Sequence, residues 1–257
     1  EGPVVHTPVR DRAGVERLRV FEPEEGLPHV LEAVRLLRKE LDGKTPLIGF
    51  AGSPFTVASY LVEGGKSSDY RLTKNMMWTE PETFSLLMGK IGEVVRRYLK
   101  AQVAAGAQAI QLFDSWVGAL TIEDYREHVM PHVQAILRDV EATGVPVIHF
   151  GTNTNHLLEV MRDAGGTVIG VDHRTPLMEA WRRVGFDRAV QGNLDPLLLC
   201  APVDVAKRRA TKILEEVGAR PGHVFNLGHG IIPEVPVDHV KAMVDHVHEV
   251  SARLRAS

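Results

Sequence analysis

The chain has 257 residues, of which 44% are hydrophobic and 25% charged, with 23 glycines and 15 prolines. This is the composition of an ordinary globular protein, and it excludes a disordered chain, a collagen and a disulfide-stabilised miniprotein. The formal net charge is −3, and the 30 lysines and arginines are scattered along the chain, which argues against a nucleic-acid partner.

The single cysteine, Cys200, cannot form an internal disulfide or a multi-thiolate zinc site, which fits a reducing compartment. No run of 18 apolar residues is present, and residues 1–3 lack the basic and apolar segments of a secretory signal. We therefore expect a cytoplasmic protein with no membrane partner.

Short apolar runs rich in β-branched residues alternate along the chain with longer stretches of helical period. This alternation predicts βα units around a parallel sheet. Strands are predicted at 47–51, 109–113, 145–150, 167–171, 189–192 and 223–227. Helices are predicted at 29–41, 81–105, 122–142, 154–164, 177–184, 203–217 and 237–254, with Thr79 as the N-cap of the second.

Units of this kind close into a (β/α)8 barrel or form an open doubly wound sheet. No Gly-x-Gly-x-x-Gly follows the first strand, and polar or aromatic residues follow at least four strands, where a barrel places its chemistry. We predict an α/β fold of the (β/α)8 type in which six strands are identifiable. The expectation is one barrel domain over residues 1–257, incomplete at the N-terminus.

Polar side chains stand directly after two of the predicted strands. Asp114 and Ser115 follow the second strand, and His229 follows the sixth between two glycines. We interpret the first two as functional, with a local cap as the alternative for Asp114. Flanking glycines let a ligand approach closely, so His229 is a candidate site residue.

Two further acids and one loop remain open to more than one interpretation. Asp172 suits either a base or a cap, whereas Asp195, which precedes Pro196, is interpreted as a helix cap. The segment 63–68 contains Gly-Lys-Ser but has Tyr60 where a phosphate loop requires glycine, so that motif is excluded. The segment is predicted to be a flexible loop, either a lid or a solvated turn.

Four linked motifs at these strand ends resemble the uroporphyrinogen decarboxylase family. In chain order they are Gly-Phe-Ala-Gly-Ser-Pro-Phe-Thr at 49–56 with Tyr-Leu-Val-Glu-Gly-Gly at 60–65, Gln-Leu-Phe-Asp-Ser at 111–115, Gln-Gly-Asn-Leu-Asp-Pro at 191–196 and Asn-Leu-Gly-His-Gly at 226–230. Four motifs in the same order are far more specific than any one of them, and the similarity covers nearly the whole chain.

The resemblance implies a (β/α)8 barrel, usually a homodimer, that needs neither a metal nor an organic cofactor. It would remove carbon dioxide from the four acetate side chains of uroporphyrinogen III to give coproporphyrinogen III, a step toward haem. By this resemblance Tyr60, Ser115 and His229 contact the tetrapyrrole substrate, and Phe50 and Phe113 face its macrocycle.

Two features of the family are missing from this sequence. The family's aspartate that contacts the pyrrole N–H groups, and its Arg-Gln-Ala-Gly-Arg segment, have no counterpart here, so the catalytic residue is unassigned. Bidentate guanidinium groups supply charge and geometry for a substrate with eight carboxylates. We therefore expect residues 1–257 alone to be inactive.

Two alternatives accompany the decarboxylase hypothesis. A corrinoid-linked methyltransferase has a similar fold but activates a thiol on zinc held by His and Cys ligands, and Cys200 alone does not supply that set. A non-catalytic tetrapyrrole-binding barrel would keep the aromatic residues and lack the acid. Binding without turnover would identify the latter.

Overall fold

The computed structural model describes residues 4–256, so the N-terminal segment 1–3 considered above lies outside the described residues. Six strands form one parallel sheet: β1 (Ile48–Gly52), β2 (Ala109–Asp114), β3 (Val147–Gly151), β4 (Val168–Gly170), β5 (Ala189–Leu194) and β6 (His223–Leu227). All six predicted strands are confirmed, with small shifts at their ends.

The strands follow one another across the sheet in sequence order, and every neighbouring pair is parallel. A doubly wound sheet reverses direction at a switch point, so its strand order does not run consecutively. Consecutive parallel strands joined by helices are the arrangement of a (β/α)8-type barrel, as predicted. In the described part of the chain, β1 and β6 are the two edges of the sheet.

Helices precede, connect and follow the strands. They are α1 (Arg12–Arg17), α2 (Pro23–Gly26), α3 (Pro28–Glu40), α4 (Pro54–Glu63), α5 (Arg71–Thr79), α6 (Pro81–Ala104), α7 (Ile122–Asp124), α8 (Met130–Glu141), α9 (Leu158–Ala164), α10 (Leu177–Val184), α11 (Val203–Val217) and α12 (Val237–Ala256). Three 3-10 turns lie at Val117–Ala119, Asn155–Leu157 and Pro196–Cys200. Within residues 4–256, no helix is long and apolar enough to cross a membrane.

Three details differ from the sequence prediction. Helices α1, α2, α4 and α5 occupy regions for which no helix was predicted. The predicted helix 122–142 is divided by a π-helical turn at Tyr125–Val129, just before Pro131, whose missing N–H interrupts regular pairing. Thr79 is not an N-cap, because it ends α5 and its hydroxyl donates to the carbonyl of Asn75.

The register separates the two faces of the sheet. Ile110 and Leu112 of β2 are in register with Val147 and His149 of β3, and these side chains are buried toward the helix layer. Side chains alternate along a strand, so the positions between them face the interior of the barrel. These inner positions are where the candidate site lies.

His149 is fully buried between β3 and the helix layer. Its Nδ1 lies 3.2 Å from the carbonyl oxygen of Met161, and its Nε2 has no partner within residues 4–256. Burial lowers the pKa of His149 to about 4, against the opposing effect of hydrogen bonds to the backbone of Met161 and Gly165. The side chain is therefore neutral in the folded protein at neutral pH.

We predict that His149 makes the fold acid-sensitive. Its folded pKa lies below the ordinary value of about 6.5, so the unfolded state binds more protons and stability falls as pH drops from about 6.5 toward 4. Between pH 7 and pH 5, the melting temperature of the wild-type protein should fall by roughly 5 °C more than that of His149→Asn.

The measurement is a pair of thermal melts at each pH. His29→Asn, at an exposed position of α3, serves as the control and should follow the wild type. Parallel pH curves for wild type and His149→Asn would contradict the prediction.

Candidate active site

Three phenylalanines form an aromatic row across the inner face of β1, β2 and β3. The ring centroids of Phe50 and Phe113 are 5.7 Å apart with an interplanar angle of 89°, and those of Phe113 and Phe150 are 5.8 Å apart at 82°. Edge-to-face rings at such distances stabilise one another beyond simple burial. Phe50 is 60% exposed at the edge strand, so the row presents an open apolar surface.

Phe150 is a candidate site residue that the sequence did not single out. It lies in register with Phe113 on one side and with Gly170 of β4 on the other. A Cβ atom at position 170 would lie 2.6 Å from Cδ2 and 2.8 Å from Cβ of Phe150. Gly170 therefore leaves the space that the third ring occupies.

A cleft of about 400 Å³ opens beside this row at the inner face of the sheet. Within residues 4–256 the cleft is lined by the two rings, a pair of glutamines, the end of β6 with the segment that follows it, and one residue of α12. These residues are Phe113, Phe150, Gln111, Gln191, Asn226, Leu227, His229, Gly230, Ile231 and Val240. The predicted residues Phe113 and His229 are thus in one cleft. Tyr60, Ser115 and Phe50 are not among its lining residues.

His229 is exposed at the mouth of the cleft, and its orientation follows from two glycines. The backbone N–H of Gly230 donates to Nδ1 of His229 at 2.7 Å, so a neutral ring carries its proton on Nε2. A Cβ atom at Gly228 would lie 2.3 Å from the backbone nitrogen of His173. Only glycine lets this loop lie directly against the segment that follows β4.

The floor of the cleft holds two buried glutamines, Gln111 on β2 and Gln191 on β5. They are 7% and 5% exposed, and Nε2 of Gln191 donates to Oε1 of Gln111 at 3.1 Å. The residues are 80 positions apart in the chain, so no local sequence pattern reveals the pair. We call these two side chains the amide pair.

Tyr60, on α4, belongs to a second aromatic cluster. The ring of Tyr60 packs against Trp116 with centroids 4.1 Å apart, and Tyr70 packs on the same indole at 5.1 Å. Burial raises the pKa of Tyr70, and the nearby Tyr60 and Glu63 raise it further. Ser115 directly precedes Trp116 in the chain, at the carboxyl end of β2.

Asp114 points away from the cleft. It is fully buried on the helix side of β2, where it accepts hydrogen bonds from Ser53 at 2.9 Å and Thr56 at 3.1 Å. Burial raises its pKa to about 7, although the two hydroxyl donors oppose the rise. The contacts favour the capping alternative, with Asp114 holding the start of α4 rather than that of the following turn.

The two later acids also act locally. Asp195 accepts from the backbone N–H of Leu197 at 3.0 Å and caps the 3-10 turn Pro196–Cys200, which confirms its interpretation as a cap. Asp172 is buried and accepts from the backbone N–H groups of Asn153 and Arg174. These bonds connect the segments after β3 and β4 and support a structural role for Asp172.

The sequence matches the family model described as uroporphyrinogen decarboxylase (URO-D) over residues 1–250. The chain belongs to the uroporphyrinogen decarboxylase family. A uroporphyrinogen decarboxylase from Sorangium cellulosum is 79% identical over 97% of this chain and 72% of its own length. One from Thermus thermophilus is 52% identical over 98% of this chain and 73% of its own length.

Solved structures also resemble this fold. A methyltransferase from Methanosarcina mazei matches with a TM-score of 0.81 at 25% identity, covering 95% of this chain and 70% of its own. A B12-independent methionine synthase from Shewanella matches with a TM-score of 0.58 at 12% identity, covering 88% and 66%, and shows the fold alone. The much higher identity to decarboxylases assigns this chain to their family rather than to the methyltransferases.

We predict that Gly170→Ala disrupts the aromatic row. The added methyl group has no room beside Phe150, so the ring or β4 must shift at a cost of about 1–3 kcal/mol in stability. Thermal melts measure the loss, and near-ultraviolet circular dichroism reports on the aromatic packing.

Gly89→Ala provides the matched control, because a Cβ atom on this exposed α6 residue would meet nothing within 4 Å. Alanine there should leave the melting temperature unchanged or raise it, since it favours the helix by about 0.5–1 kcal/mol. Equal melting temperatures for Gly170→Ala and wild type would show that the third ring does not need this glycine.

Proposed function

We propose that this protein is a carboxy-lyase that removes the acetate carboxyl groups of uroporphyrinogen III to give coproporphyrinogen III. The observation that carries the proposal is the match of residues 1–250 to the decarboxylase family, with relatives of that name at 79% and 54% identity. The apolar row and the polar groups beside it suit a macrocycle that carries carboxylates.

The chemistry explains why such a pocket is useful. Protonation of the pyrrole at the carbon that bears the acetate makes the ring an electron acceptor. The bond between the acetate methylene and its carboxylate then breaks, carbon dioxide leaves and the electron pair enters the ring. A proton adds to the methylene carbon and the ring proton is lost, which restores the pyrrole and leaves a methyl group. The macrocycle is its own electron sink, so we propose a reaction without metal or organic cofactor. The protein must bind the substrate, exclude water and supply a proton.

His229 is proposed to contact a substrate carboxylate. The bond from Gly230 to its Nδ1 directs the proton of the neutral ring to Nε2, which is the nitrogen left to donate. Its exposed position at the cleft mouth leaves it accessible to a substrate side chain.

The remaining predicted residues divide between two surfaces. Phe50 and Phe113 are proposed to contact the macrocycle through the row they form with Phe150. Tyr60 and Ser115 are proposed to contact side chains of the substrate at the carboxyl end of β2, outside the cleft. Rings that exclude water strengthen the hydrogen bonds of neighbouring donors.

Because residues 1–257 alone are expected to be inactive, the direct test uses the chain supplied with the family's aspartate and Arg-Gln-Ala-Gly-Arg segment. It is incubated anaerobically with uroporphyrinogen III, prepared by chemical reduction of uroporphyrin III, and the products are then oxidised and separated by chromatography according to carboxyl number. Successive seven-, six-, five- and four-carboxyl products would support the decarboxylase. Tight binding without any loss of carboxyl groups would instead support the non-catalytic tetrapyrrole-binding alternative. The absence of both binding and products would contradict both hypotheses.

In the chain supplied with the family's aspartate and arginine segment, we predict that His229→Asn lowers kcat/KM by roughly ten- to a thousandfold, as expected when one positioned polar contact is lost. Steady-state assays with uroporphyrinogen measure the change. His248→Asn, at an exposed position of α12, is the control and should retain wild-type kinetics. An unchanged rate for His229→Asn would remove this residue from the site.

In the same supplemented chain, we predict that Tyr60→Phe lowers activity while the melting temperature stays within about 1 °C of wild type. Phenylalanine retains the ring that packs on Trp116, so only the hydroxyl is lost. Tyr98→Phe on α6 is the matched control for activity. A large fall in melting temperature for Tyr60→Phe would show that the tyrosine serves packing instead.

Three further properties are proposed on the strength of the family. We propose a homodimer, to be tested by light scattering on the eluting protein. We propose a cytoplasmic location, which the single cysteine fits because reducing compartments disfavour disulfides. We also propose that residues 1–257 act as one barrel domain, which predicts a single cooperative unfolding transition.

A further inference from the structure

The amide pair has more hydrogen-bonding groups than the protein satisfies. Two carboxamides carry four N–H donors and two acceptor oxygens. Within residues 4–256, the bond from Nε2 of Gln191 to Oε1 of Gln111 is the one hydrogen bond that either side chain makes. Both Nε2 atoms keep free N–H groups, although the residues are more than nine-tenths buried.

The position of the pair is suited to a ligand. Both side chains line the cleft together with Phe113 and Phe150. Gln111 lies two residues before Phe113 on the same strand, which places it roughly 6.6 Å deeper along the strand than that ring. A macrocycle that packs on the phenylalanines could therefore extend one side chain down to the amide pair.

The chemistry of the pair favours a carboxylate. A carboxylate that enters an apolar cleft must be hydrogen-bonded, and charge-assisted bonds are about twice as strong as neutral ones. Amide N–H groups supply such bonds without bringing a second buried charge. The free N–H groups of Gln111 and Gln191 are donors of this kind.

The reaction itself decides which carboxylate can lie there. Donors that stabilise the carboxylate about to leave would lower the ground state more than the transition state, in which that charge is disappearing, and would slow the reaction. We propose that the amide pair binds a propionate carboxylate, which the reaction retains, and so positions the ring whose acetate reacts. This inference rests on the proposed function.

Gln111→Glu tests the proposal with little change of shape. Glutamate keeps an oxygen to accept from Gln191 but replaces the free N–H donors with a carboxyl oxygen. Gln111→Met removes both polar groups and serves as the second variant if glutamate impairs folding. Gln134→Glu, at an exposed position of α8, is the control for the added charge. Thermal melts establish that each variant is folded.

The binding probes are uroporphyrin III and coproporphyrin III, titrated by fluorescence at constant ionic strength. Both carry four propionates, but only the first carries acetates. We expect both affinities to fall by a similar factor, roughly ten- to a hundredfold, because one charge-assisted contact is lost. In turnover assays of the chain supplied with the family's aspartate and arginine segment, KM should rise and kcat should fall, because the contact both binds the substrate and positions the reacting ring. The Gln134→Glu control should bind both porphyrins as the wild type does.

Three results would overturn the inference. A loss confined to uroporphyrin would place an acetate at the amide pair. Wild-type affinity of Gln111→Glu or Gln111→Met for both porphyrins would show that the pair only connects β2 to β5, and would leave the proposed function intact. Failure of the wild-type protein to bind either porphyrin would overturn the inference together with the proposed function.

Discussion

The candidate site depends on the parallel register of the six strands. Every neighbouring pair is aligned so that alternate positions face the interior, which places Phe50, Phe113 and Phe150 in one row although about a hundred residues of chain separate the first from the last. A shift of one residue would turn each ring toward the helices. Gly170 completes the arrangement, since any larger residue would occupy the space of the third ring.

Two neighbouring residues at the end of β2 have different roles because they face opposite sides of the sheet. Asp114 lies only one position after Phe113 and therefore faces the opposite side, where Ser53 and Thr56 donate to it. The raised pKa of this acid reflects its burial, and both its donors are at the start of α4. This acid thus fixes the helix that carries Tyr60. It influences the site through position rather than through contact with substrate.

The sequence predicted the six strands because each is a short β-branched run between turn residues. It missed α4 because most of that helix is buried, so no polar stripe marks its period. Phe150 was overlooked because β3 is buried throughout, and an unbroken apolar run does not reveal which residues face inward. The amide pair depends on a contact between residues 80 positions apart, which arises only when the folded sheet brings β2 and β5 together.

The inner face of the sheet also explains why the retained carboxylate and the reacting acetate are proposed to lie in different surroundings. At the inward positions of the six strands within residues 4–256, the polar side chains are glutamines and asparagines, and no Asp, Glu, Lys or Arg is present. A neutral interior costs little to desolvate and lets amide donors act strongly on a carboxylate. Cationic side chains at these inward positions would hold the leaving carboxylate as firmly as the retained ones. Neutral donors at the floor can position a retained carboxylate while the reacting acetate stays in apolar surroundings, where loss of its charge is favoured.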